Sequence, residues 1–169
     1  MASLALPGLP APEQQRNRHD LVSYLETIWN AYFADIPRAN TIHIAYCYPW
    51  KNRLGLIRLS CDHTITQIGI NTLLQLTQVP EYVLTVTIAH ELVHYAHGFG
   101  SPLPRFCQHP HANKVVDREM ERRNLGGLLR DCSGWIDKYW YPFYDMQRAS
   151  GWAGLFGNQS IRRTEGVYY

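Results

Sequence analysis

Residues 79–98 read "VPEYVLTVTIAHELVHYAHG". Val83, Val86, Ala89 (or His90), Val93 and Ala96 recur at the three- and four-residue steps of one helical face. Pro80 suits the first helical position and Glu81 complements the positive helix end. Gly98 is the natural stop. The β-branched residues between Val83 and Ile88 lower intrinsic helix propensity, so packing against a core must hold this helix together.

Upstream, Asn71 is placed to cap a short helix over "TLLQLT". Before it the period changes. "TIHIAYCY", "LGLIRLSC" and "HTITQIGI" carry the β-branched, aromatic and alternating content of short strands, with Gly55 and Cys61-Asp62 near the turns. These predict a small antiparallel sheet of about three strands. Leu21, Leu25, Ile28 and Tyr32 mark an earlier helix, about residues 13–34, which Pro37 ends. Downstream, the Gly- and Pro-rich stretch 98–111 is a loop. "NKVVDREMERRNLGG" predicts a helix stopped by Gly126-Gly127, and "CSGWIDKYWYPFYDMQRAS" a helix reaching Pro142. The expected architecture is α+β: a flexible arm at 1–12, then one domain over 13–169.

The central helix also carries chemistry. His90 and His94 are four apart, so both rings project from one face, one turn from each other. Two imidazole nitrogens so placed can reach one Zn²⁺ at about 2.0–2.1 Å. Glu91 follows the first histidine. A carboxylate there can take a proton from water at the metal and return it to a leaving amine, which is the logic of H-E-x-x-H in zinc peptidases.

A catalytic zinc usually has three protein ligands, so one is missing. His97, His109, His111, Glu119 and Glu121 are the candidates. His97 lies seven residues after His90, about 10.5 Å along the helix axis. Nitrogens sharing a tetrahedral zinc lie only about 3.4 Å apart. His97 therefore fits better as a liner of the cleft or a donor at the helix end. A longer metzincin pattern fails, because His97 and Gly100 stand where it needs glycine and histidine. Tyr95, His97 and Arg105 are candidates to stabilise an oxyanion.

Taken in order, these stretches resemble the SprT-like zinc metallopeptidases. "IWNAYFADIPRANTIHIAY" is similar to that family's opening helix and first strand, and "LGLIRLS" to its glycine-containing second strand. "IGINTLLQLTQVPEYVLTVTIAHELVHYAHG" resembles the core leading into the H-E-x-x-H helix. The resemblance covers roughly residues 20–126. It implies a zinc metalloendopeptidase with His90, His94 and a histidine opening the next helix as ligands. That position is matched by His111, with Ala112 and Val115 departing from the family's glycine and aromatic residue. Glu91 would be the general base.

The formal net charge of +2 predicts no strong pull on nucleic acid. Arg118, Arg122, Arg123 and Arg130 leave DNA association as one alternative, although acidic neighbours nearly balance them. A second alternative is a zinc-stabilised assembly module that binds a protein partner through Trp135, Trp140, Tyr141, Phe143, Tyr144 and Trp152. Cys47, Cys61, Cys107 and Cys132 are too far apart for a C-x-x-C pair, which predicts free, buried thiols in a reducing compartment. The N-terminus lacks the marks of a signal peptide, and no apolar run is long enough for a membrane span. The expected setting is cytoplasmic, with a protein or peptide substrate.

Overall fold

A computed structural model describes residues 20–156. The expected arm at 1–12 and the start of the first helix lie outside the described residues. Helix α1 (Asp20–Tyr32) turns Leu21, Leu25, Ile28 and Trp29 inward, each no more than 4 % exposed. Strands β1 (Thr41–Tyr46), β2 (Gly55–Leu59) and β3 (Ile65–Ile70) follow, then a 3-10 turn at Thr72–Gln75. Helix α2 (Glu81–Ala96) is the helix of the opening stretch.

The architecture is α+β, but the sheet is mixed rather than antiparallel. Its order is β1-β3-β2, with β3 parallel to β1 and antiparallel to β2. The segment 47–54 carries the chain from one edge to the other, and β3 returns into the slot between. Buried Asn71 holds that segment in place. Its Nδ2 donates to the carbonyls of Trp50 and Arg53, both at 2.7 Å, while its Oδ1 caps the 3-10 turn through the N–H of Leu73. Period-two patterning marks strands but does not encode which neighbours they choose.

Helix α2 is the centre of the core. Val83, Leu84, Ile88, Ala89 and Val93 are fully buried, which supplies the stability that the β-branched run lacks. Pro80 stands as the N-cap, one position before the expected one. The C-terminus closes as a Schellman motif. The N–H of Phe99 bonds the His94 carbonyl and the N–H of Gly98 bonds that of Tyr95. Gly98 has φ +77°, and a Cβ there would meet the Leu103 and Pro104 carbonyl oxygens at 2.5 Å.

Helix α3 (Val115–Arg122) ends before the glycine pair. Asn124, at φ +61°, takes the left-handed position, and the N–H of Leu125 returns to the Met120 carbonyl. Gly126 and Gly127 instead open helix α4 (Gly126–Trp135). Pro142 does not end the aromatic helix. A π-turn at Ile136–Trp140 widens the backbone ahead of it, and helix α5 (Tyr141–Ala149) starts around it, followed by the short α6 (Ala153–Phe156). Trp135, Trp140, Phe143 and Tyr144 are buried against one another, while Tyr141 stays exposed. Most of the aromatic segment therefore fills core.

Two polar clusters fix the helices that surround the site. Tyr95 donates to Asn40 Oδ1 at 3.0 Å and accepts from the N–H of Ala39 at 2.9 Å. The Arg123 guanidinium, its side chain 4 % exposed, bonds Glu119, Asp35 and the carbonyl of Tyr32, tying α3 to the end of α1.

Candidate metal centre

Helix α2 presents His90, Glu91 and His94 to a cleft of about 720 Å³. One wall is Asn52–Arg58, running into β2, an edge strand of the sheet. The opposite wall comes from Leu129, Cys132 and Ser133 of α4, with Ile136 beyond. His111 enters from the loop ahead of α3, just before a 3-10 turn at Ala112–Lys114.

The three histidines converge. One ligand atom from each of His90, His94 and His111 lies within 4.8 Å of the others. The Nε2 atoms of His90 and His94 are 3.1 Å apart, close to the spacing of two nitrogens on one tetrahedral ion. The His94 ring meets His90 and His111 edge-on, with centroids 4.8 and 4.7 Å away. This group could hold a metal ion.

The electrostatics suit a cation. Burial lowers the His90 pKa to about 4, with help from His111 and against Asp117. Burial and then the neighbouring histidines lower His94 to about 3. Both rings are therefore neutral at pH 7, with lone pairs free of proton competition. Burial pushes the Glu91 carboxyl up to about 8, against a smaller opposing pull from Arg53. A divalent ion beside it would restore the carboxylate form.

The other proposed ligands are placed elsewhere. His97 is buried behind the helix end, stacked on Phe106 at 4.6 Å, and its Nδ1 finds no partner among the described residues. It neither joins the cluster nor lines the cleft. Glu119 is engaged by Arg122 and Arg123. His109 and Glu121 are exposed and outside the cluster. The candidate oxyanion stabilisers fare no better. Tyr95 is fully buried toward Asn40, His97 faces Phe106, and Arg105 lies over Phe99 at 4.8 Å. The cationic side chain that does line the cleft near Glu91 is Arg53, which the sequence pattern did not single out.

No family model, curated protein or solved structure matches the chain. All four cysteines are free, and Cys132 alone is buried. No helix among the described residues is long and apolar enough to cross a membrane.

Proposed function

We propose that the chain is a zinc metallopeptidase of the SprT-like kind, with His90, His94 and His111 as ligands and Glu91 as general base. The observation that carries this reading is the convergence of three histidine nitrogens beside a buried carboxyl in an open cleft. Three imidazole nitrogens form a donor set of hydrolytic zinc, and softer or oxygen-seeking metals favour other ligands. When bound, zinc would supply Lewis-acid polarisation of the scissile carbonyl and lower the pKa of a coordinated water toward about 7.

The protein's own residues do the rest. Glu91 takes one proton from the attacking water as its oxygen bonds to the carbonyl carbon. The same carboxyl then delivers that proton to the amide nitrogen as the C–N bond breaks. Arg53, in the cleft wall, offers positive charge where the carbonyl oxygen becomes anionic. The edge strand β2 lines the cleft, so an extended chain has a strand to lie against there.

The test is Glu91→Gln in zinc-loaded protein, assayed on an unfolded substrate such as labelled casein. Retained zinc with abolished cleavage supports the proposal. Cleavage at the wild-type rate removes Glu91 as the base.

A further inference from the structure

A notch in β2 lies directly over the Glu91 carboxyl. Gly55, the first residue of that strand, has no Cβ. One built there would stand 2.5 Å from Glu91 Oε1 and 3.0 Å from the Thr87 methyl. A glycine inside a strand weakens it and commonly marks a close approach by another group. Here that group is the carboxylate assigned to proton transfer. We propose that Gly55 is a positioning residue: its missing side chain is the space that sets where the Glu91 carboxylate sits.

The neighbours cannot give way instead. Gly55 is paired with Ile70 of β3, and the residues just before it are held by Asn71, whose N–H bonds the Leu54 carbonyl at 2.7 Å. The Thr87 hydroxyl donates to the Val83 carbonyl at 2.7 Å, which fixes its methyl toward the strand. At the middle of β2 a second glycine, Gly100, makes another close approach. A Cβ on Gly100 would meet Ile57 Cγ1 at 2.7 Å, so the strand is closely approached at two points, Gly55 and Ile57. A methyl at position 55 must therefore be accommodated by the carboxylate. Moving Oε1 from 2.5 Å to ordinary contact displaces it by about 1 Å. Misplacement on that scale costs on the order of 100-fold in rate.

This inference rests on the peptidase reading for its kinetic consequence, but the steric coupling stands apart from it. The experiment is Gly55→Ala in the zinc-loaded full chain, alone and with Glu91→Ala. On casein, Gly55→Ala is expected to lower kcat about 100-fold with KM within about threefold. Zinc affinity and the visible absorption of the cobalt-substituted protein are expected to be unchanged, because the histidines are untouched. Independently of activity, Gly55→Ala should lower the melting temperature by about 5 °C in the wild-type background. In the Glu91→Ala background, where the closest contact is gone and only the 3.0 Å approach to the Thr87 methyl remains, it should lower it by less than half as much. If Gly55→Ala alone fails to fold, the double variant should fold. A kcat within threefold of wild type, loss of zinc, or equal melting losses in both backgrounds overturns the inference. Should the wild type cleave nothing, the peptidase reading fails, and the melting comparison still decides the coupling.

Discussion

Glu91→Gln should stabilise the metal-free protein at alkaline pH. The side chain is 5 % exposed, and its burial raises the carboxyl from 4.5 to about 8. A carboxyl whose folded pKa is raised binds more protons in the native state than in the unfolded chain. Its contribution to stability is therefore complete below pH 4.5 and is lost as pH rises through about 8. At about 1.4 kcal/mol per unit, the full shift corresponds to a ceiling of about 5 kcal/mol. With the effective dielectric of protein sites, the expected loss is about 2 kcal/mol. Glutamine keeps the shape and removes the ionisation. In urea titrations of chelator-treated protein, Glu91→Gln should match wild type at pH 5 and exceed it by about 2 kcal/mol at pH 8. Adding one equivalent of zinc should erase the gain, because the cation stabilises the wild-type carboxylate. Equal stabilities at pH 8 without metal would refute the claim that this carboxyl is held in a desolvated position.

Three further outcomes follow from other parts of the fold. Asn71→Ala leaves the Trp50 and Arg53 carbonyls and the Leu73 N–H without their partner. It should cost about 3 kcal/mol in chemical denaturation and loosen the cleft wall. Arg123→Ala should cost about 3 kcal/mol, because it strips the buried cation from Glu119 and Asp35. Arg123 holds the Asp35 carboxyl below its usual range, and Arg122 and then Arg123 do the same for Glu119. Their contribution is present above about pH 4 and lost as pH falls further, so the variant should also show a shallower acid transition. Burial pushes the Cys132 thiol up to about 12, whereas Cys61 is exposed. Alkylation of native protein at pH 8, read by mass spectrometry, should modify Cys61 at least about tenfold faster than Cys132.

The sequence was most legible where one residue type had one structural use. Gly98 could stop α2 because only glycine fits where a Cβ would meet two carbonyl oxygens. Asn71 announced its cap in the same way. His90, Glu91 and His94 were readable because a helix fixes their relative places. His111 was harder, since its approach depends on a loop and on the left-handed Asn113 and Lys114, which no local periodicity encodes. The sheet order was hidden because strand alternation carries no partner identity. Gly126-Gly127 misled because Asn124 had already taken the left-handed position that ends α3. Pro142 misled because a π-turn removes the clash a proline makes in a regular helix. Arg53 and Gly55 gained their place only when β2 was laid across α2, a long-range contact with no short motif.

Zinc content measured after dialysis against a weak chelator tests the centre of this account most directly. The wild type should retain one zinc per chain, His111→Ala should lose it, and His97→Ala should keep it. A His111→Ala protein that still holds one zinc, or a His97→Ala protein that does not, would contradict the three-histidine site.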